Sequence, residues 1–157
     1  MTPPHQAIIQ APGFLIGIRC TADEITGIEY LEPGALRSPD TPLAHETVRQ
    51  ITAYLADPRF EFGLPLAPAG THFQRRVWNA IAAIPCGQTL SYGEVAAQIR
   101  SGARAVGNAC GTNPFPMVVP CHRVLAAQHR LGGFGRGGGG WLLEIKRFLL
   151  RHEGIGV

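Results

Sequence analysis

Residues 113–124 read Asn-Pro-Phe-Pro-Met-Val-Val-Pro-Cys-His-Arg-Val. Phe115–Val119 reads as a buried strand. Pro120 should end it and open a helical turn, because proline is pre-set for the first helical position. Cys121 would then stand at the start of that turn. Free N–H groups and the helix dipole there lower a thiol pKa. His122 and Arg123 add a proton acceptor and a positive charge. Such a thiolate is a nucleophile; the competing reading is an inert buried thiol, the usual state of a free cysteine. Side chains at i and i+1 do not face each other on a helix. A water would therefore carry a proton between Cys121 and His122, and a carboxylate behind the imidazole would orient it. Glu153, in Arg-His-Glu-Gly near the C-terminus, is one of three acids in the second half and is the candidate for that role.

The elements that must position these groups fit in one domain or two small ones, since the chain has 157 residues. Its 45% hydrophobic and 16% charged residues exclude a disordered tail. No run approaches the ~18 apolar residues of a spanning helix. The Met-Thr-Pro-Pro-His start lacks the features of a signal peptide. A soluble, cytoplasmic protein without membrane contact is expected. Cysteines stand at 20, 86, 110 and 121. The even count permits two disulfides, but a chain without a signal peptide more often keeps free thiols. No Cys-x-x-Cys and no histidine at zinc spacing occurs, so no metal is expected; with no clear candidate for a cofactor site, no cofactor is expected either.

Charge divides the chain. Residues 1–70 carry a net −4 and residues 71–157 a net +7, nearly all of the latter from arginine. The basic half suits a polyanion, and the planar guanidinium suits phosphate and base edges; a solvated basic surface is the plainer alternative. Apolar runs at 7–10, 14–19 and 25–31, punctuated by Pro12-Gly13 and Pro33-Gly34, predict three strands. Ala44, Val48, Ile51 and Leu55 predict a helix ended by Asp57-Pro58. Alternation of Phe60, Phe62, Leu64 and Leu66 predicts a half-buried strand. Ala67-Pro-Ala-Gly70 is the linker, giving units 1–68 and 69–157.

The second half reads as helical. Thr71-x-x-Gln74 and Ser91-x-x-Glu94 are capping boxes. Phe73, Val77, Ile81 and Ile84 define the face of the first helix. Ser101-Gly102 separates a helix through Val95 and Ile99 from one over 103–110, which suggests a helix-turn-helix, although helical hairpins are common. The second helix, Ala-Arg-Ala-Val-Gly-Asn-Ala-Cys, has almost only small side chains. It could pack closely inside a core or press into a nucleic-acid groove. With Arg104 as its one long polar side chain, base-sequence readout is not expected; shape or minor-groove binding fits better. Trp78 and Trp141 lie on periodic stretches and are expected in the core, and Arg123 in an ion pair.

Val119-Pro-Cys-His-Arg-Val124 resembles the active-site signature of the O6-alkylguanine–DNA alkyltransferases (methylated-DNA–protein-cysteine methyltransferases). Phe73-Gln-Arg-Arg-Val-Trp78, Ile84-Pro with Gly87-Gln-Thr, Ser91-Tyr-Gly93, Ala103-Arg-Ala-Val-Gly107, Asn113-Pro114 and Leu149-Leu-Arg-His-Glu-Gly154 follow in that family's order. The resemblance covers about residues 71–154; residues 1–70 match only in general shape.

The resemblance implies an α/β fold, with a ribonuclease-H-like N-terminal antiparallel sheet and helix and a winged-helix-like, helix-turn-helix C-terminal domain. It implies single-turnover direct repair: O6-alkylguanine, and also O4-alkylthymine, is flipped out of double-stranded DNA and its alkyl group passes to Cys121. His122 would be the water-linked base with Glu153 behind it, and Asn113 would hold the turn. Tyr92 would contact and help protonate the base. Arg104 would replace the extruded nucleotide, with Ala103, Ala105 and Gly107 against the minor groove. Pro116, Val124 and Phe134 would wall the pocket. The protein would act as a monomer on DNA without sequence preference. Seven of the nine residues 132–140 are glycine, an extension beyond the family's spacing. It would widen the pocket or, in the favoured reading, be mobile. Its Gly-x-Gly-x-x-Gly lacks a preceding strand and is no dinucleotide site. The turn before Ala103 looks shortened. Three rivals stand: a lesion binder without catalysis, which would lack the cysteine; a Cys-His hydrolase, which would need an oxyanion hole; and a transcription factor, which would need a regulatory module.

Overall fold

Residues 4–132 and 140–157 are described by the computed structural model, and the chain divides into units 1–68 and 69–157. In the first unit, β1 (Ala7–Ala11), β2 (Phe14–Cys20) and β3 (Ile25–Leu31) form an antiparallel sheet in the order β1-β2-β3. The β1–β2 turn works because Pro12 fixes its own φ and Gly13 accepts a φ of 85°. Ala7, Phe14, Leu15, Ile16, Ile18, Ile25 and Ile28 are buried, so β2 hides nearly its whole length.

Helix α1 (Pro42–Ala56) starts where Thr41 accepts from the Ala44 N–H at 3.2 Å, with Pro42 in the first turn. Its buried face is Ala44, Thr47, Gln50, Ile51 and Tyr54, rotated from the predicted one. Two polar residues can enter because both are satisfied. Thr47 donates to the Leu43 carbonyl at 2.7 Å. The Gln50 side chain donates to the Gly63 carbonyl at 3.0 Å and accepts its N–H at 2.8 Å. The expected strand over 60–66 does not form. Its alternation survives as half-buried Phe60, Phe62, Leu64 and Leu66 with exposed residues between. Gly63 is already bonded to Gln50, Pro65 has no N–H, and only one bridge, Leu66 to Ile25, is made.

In the second unit, α2 (His72–Ala82) opens on the Thr71/Gln74 capping box and buries Val77, Trp78 and Ile81. Trp78 donates its indole N–H to the Ala109 carbonyl at 2.9 Å. α3 (Tyr92–Ile99) opens on the Ser91/Glu94 box. Arg100 closes it in the left-handed region, at φ 56°, and α4 (Ala103–Gly111) follows after a short turn. A left-handed non-glycine residue costs about 1–2 kcal/mol. Here it permits the tight α3–α4 corner of the helix-turn-helix.

The sequence did not reveal the two-stranded parallel pairing of β4 (Leu90–Ser91) with β5 (Val124–Leu125). It ties the start of α3 to the segment after Cys121. α5 (Gly140–His152) completes the unit and buries Ile145, Lys146, Leu149 and Leu150. Trp141 is 36% exposed rather than in the core; its neighbours Leu142 and Leu143 are half-buried. The fold is α/β, with a small antiparallel sheet in the first unit and mainly helices in the second. Among the described residues no helix is long and apolar enough to cross a membrane.

Candidate active site

Phe115–Val119 is a turn, not the expected strand. Prolines 114, 116 and 120 withhold donors, Met117 takes φ 77°, and the Val119 N–H returns to the Phe115 carbonyl at 2.8 Å. Asn113 organises the segment. Its amide donates to the Val119 carbonyl at 2.9 Å and to the Cys121 sulfur at 3.3 Å, while its Oδ1 accepts the Phe115 N–H at 2.9 Å. Pro120 (φ −82°, ψ 66°) is the centre of an inverse γ-turn in which the Cys121 N–H reaches the Val119 carbonyl at 2.8 Å. Cys121–Arg123 then form a single turn of 3-10 helix.

That geometry corrects the expectation of a dipole-lowered thiol. One 3-10 turn has little dipole, and the Cys121 N–H is already spent on Val119. Cys121 is only 5% exposed. Its thiol is pushed well above the ordinary value by its hydrogen bond with the Cys110 thiol and by burial; the Asn113 amide and the Lys146 charge oppose this. The Cys110 thiol is moved down, chiefly by its bond with Cys121 and against its own burial. The two sulfurs therefore hold one charge more readily than two.

His122 is fully buried. Its Nε2 lies 2.8 Å from Glu153 Oε2, so an Nε2–H donates to the carboxylate. Nδ1 is buried and has no partner among the described residues. Burial lowers the imidazole pKa against the pull of Glu153, which keeps the ring neutral and Nδ1 a bare acceptor. Glu153, at the end of α5, is held on both oxygens by Arg123 at 2.8 and 3.0 Å, and Arg123 also donates to the Ile84 carbonyl at 2.7 Å. Arg123 is thus the ion-pair residue expected of it.

Stability should depend on pH through His122. The unfolded chain protonates this imidazole near 6.5, whereas the folded one resists. Below that pH the unfolded state binds more protons, so this group's contribution to stability is full above 6.5 and declines as the pH falls. Urea midpoints at successive pH values should show that slope, and His122→Gln should flatten it.

Tyr92, the first residue of α3, is half-buried. Burial and the neighbouring cysteines raise its phenol pKa far above the ordinary value, so it stays a proton donor. Sequence reasoning missed Lys146. Its side chain is fully buried, its ammonium donates to the Leu131 carbonyl at 2.6 Å and lies 5.7 Å from the centre of the Tyr92 ring. Burial lowers it to about 8, while the Cys110 and Cys121 charges act to raise it. The spacing of Lys146 on the buried stripe of α5, a lysine where an apolar residue belongs, was the available signal.

The sequence-assigned groups separate into two sets. Asn113 is bonded to Cys121 and His122 to Glu153, the two pairs meeting only through the chain at Cys121-His122, with Tyr92 close enough to feel the Cys121 charge. Ala103 and Arg104 are exposed on the first turn of α4, and Ala105 and Gly107 are half-buried. A Cβ on Gly107 would meet nothing within 4 Å. Pro116 is half-buried in the Asn113–Cys121 turn, and Val124 has no exposed surface. Phe134 lies outside the described residues. Among the described residues no three His, Cys, Asp or Glu side chains are grouped to hold a metal.

The profile described as the DNA-binding domain of 6-O-methylguanine DNA methyltransferase matches residues 72–155. A methylated-DNA–protein-cysteine methyltransferase of Methanosarcina acetivorans is 38% identical over 96% of this chain and 98% of its own length. The protein of that name from Mycobacterium tuberculosis is 46% identical over 74% of this chain and 68% of its own. The structure of Mycobacterium tuberculosis OGT in complex with DNA superposes with a TM-score of 0.80 at 39% identity, covering 93% of this chain and 90% of that one. An O6-methylguanine DNA methyltransferase from Methanococcus jannaschii gives 0.66 at 25% identity, covering 96% and 94%. With its buried Cys121, its His122–Glu153 hydrogen bond and its helix-turn-helix, this chain belongs to the methylated-DNA–protein-cysteine methyltransferase family.

Proposed function

We propose that the protein repairs duplex DNA by flipping out O6-alkylguanine and moving the alkyl group onto Cys121 once. The observation that carries this reading is the hydrogen-bonded series Arg123–Glu153–His122, ending in an unpartnered Nδ1 on the residue that follows the buried Cys121. Through a water, Nδ1 takes the Cys121 proton, and Glu153 stabilises the imidazolium that results. The sulfur attacks the alkyl carbon, the carbon–O6 bond breaks, and its electrons pass to the guanine. Tyr92 donates toward the base and is reprotonated through water by the imidazolium, so the proton lost by the thiol ends, in net terms, on the guanine. Lys146 favours the negative charge on the sulfur. The thioether has no easy hydrolytic exit, so each chain acts once. O4-alkylthymine, with the same alkyl–oxygen linkage on a flat ring, is a second substrate. Pro116 walls the pocket and Val124 backs it.

A base inside the stack cannot reach the sulfur of a residue that is 5% exposed, so the nucleotide must leave the duplex. Arg104 takes its place. Ala103, Ala105 and Gly107 let the α4 backbone approach the minor groove, and the shortage of long polar side chains on α4 makes the binding indifferent to sequence. The chain works as a monomer.

The test compares two substrates. Wild-type protein should take one alkyl group per chain from free O6-benzylguanine and from an O6-methylguanine duplex. Arg104→Ala should slow the duplex reaction about tenfold or more, equivalent to roughly 1.4 kcal/mol, and leave the free-base reaction nearly unchanged. Equal losses on both would remove the case for Arg104 and for flipping.

A further inference from the structure

The corner between α3 and α4 sets an arginine in a position made for glycine. Arg100 ends α3 at φ 56° and ψ 52°, its N–H directed at the Ala96 and Ala97 carbonyls, and the Ser101 N–H returns to the Ala96 carbonyl at 2.8 Å. Glycine is usual in such a helix ending, because a Cβ is disfavoured at positive φ. Here glycine stands at 102 instead, where φ is −105° and a Cβ would meet nothing within 4 Å. Residues 100–104 are all exposed and carry two cations, Arg100 and Arg104.

Nothing inside the protein offsets the strain at Arg100. A cation at a helix C-terminus complements the dipole, but Arg76 already donates to the Ile99 carbonyl at 2.5 Å. Of the three acids in the second half, Glu94 closes the Ser91 capping box, Glu144 pairs with Arg147, and Glu153 holds His122 and Arg123. Among the described residues neither Arg100 nor Arg104 has an ion pair. Strain kept without an internal partner points to a use outside the chain.

We propose that Arg100 holds a backbone phosphate of the duplex beside the extruded nucleotide and so sets how α4 seats in the groove. A guanidinium offers a phosphate two parallel N–H donors in a fixed fork. Gly102 and Ala103, exposed and nearly without side chain, leave room between the two arginines for the sugar-phosphate wall. Arg104 works in the stack, and Arg100 stays on the backbone.

The proposal rests on α4 facing DNA. Full-length protein is titrated onto an unmodified fluorescent duplex at several salt concentrations and followed by anisotropy. Each phosphate held adds about 0.9 to the slope of log affinity against log salt. Arg100→Gly should unfold at a higher urea concentration, because it relieves the positive φ. It should nonetheless lower the salt slope by about one and weaken binding about tenfold near ~0.1 M salt. Repair of an O6-methylguanine duplex at low concentration should slow by the same factor, with free O6-benzylguanine reacting as in wild type. Arg100→Lys keeps the charge at the same φ and should keep most of the slope. Arg59→Gln removes one exposed charge from the first unit and should leave the slope near wild type. The proposal is overturned if Arg100→Gly keeps the wild-type slope, or if Arg59→Gln lowers it equally, since net charge alone would then be the cause. If Arg104→Ala and Gly107→Leu slow duplex repair and Arg100→Gly does not, only the phosphate contact falls. If none of the three slows it, the reading of α4 falls as well.

Discussion

Glu153→Gln should slow alkyl transfer to Cys121 about a thousandfold, within the range expected when a general base loses its orienting carboxylate. The geometry makes the sign clear. Glu153 accepts from His122 Nε2 at 2.8 Å and from Arg123 at 2.8 and 3.0 Å. An acceptor-only carboxylate forces the proton onto Nε2 and leaves Nδ1 as the base. A glutamine must spend its carbonyl on Arg123, and its NH2 then faces the imidazole as a donor. The ring responds by moving its proton to Nδ1, where it can no longer accept one from the thiol. The Arg123 guanidinium also loses its counter-charge, at a cost to folding of about 3 kcal/mol. Single-turnover rates with O6-benzylguanine, followed by intact mass, separate the effects. The deficit should shrink at high pH, where hydroxide ionises the thiol without a protein base. A purely structural role would leave the deficit the same at every pH, and a folded variant with less than a threefold loss would contradict the relay.

Gly107→Leu should move stability and duplex repair in opposite directions. A glycine inside an exposed helix costs about 0.8–1 kcal/mol against a good helix former. Internal packing does not require this one, because a Cβ there meets nothing within 4 Å. Its neighbours on the outer stripe, Ala103, Arg104 and Asn108, are exposed. The sequence therefore keeps a locally unfavourable residue on an outward surface, which makes sense if another backbone must come close. Leucine should raise the urea midpoint by the propensity difference. It should slow repair of an O6-methylguanine duplex about a hundredfold, or roughly 2.7 kcal/mol, while free O6-benzylguanine reacts within about twofold of wild type. Unchanged duplex repair would mean that α4 does not face DNA.

Local signals were legible where the chemistry is local. The two capping boxes, the proline stop of α1 and the Pro-Gly turn of the sheet appear where residue types alone put them. Errors arose where a distant partner decides. Phe60–Leu66 alternates as a strand would, but Gln50 occupies the Gly63 hydrogen bonds from thirteen residues away. Phe115–Val119 is apolar enough for a strand, but three prolines and Asn113 turn it back on itself. Trp141 keeps helical spacing without entering the core.

At the site, the residues of the signature were legible by type, and Glu153 by its rarity in a basic half. Their electrostatics were not. The thiol is raised rather than lowered because Cys110, eleven positions earlier, and burial outweigh one short turn. Lys146 and the double hold of Arg123 on Glu153 depend on α5 returning to the Cys121 segment, a contact without a local marker.

The central claim is that carbon from a lesion ends on one named sulfur. Reduced protein is mixed with a duplex carrying a single O6-methylguanine, then weighed intact and mapped by peptide. The account predicts a gain of one methylene, found only on the peptide containing Cys121, in an amount equal to the guanine restored, and no gain for Cys121→Ala. A methylene on Cys110 or any other residue, or guanine restored while Cys121 stays unmodified, would contradict it.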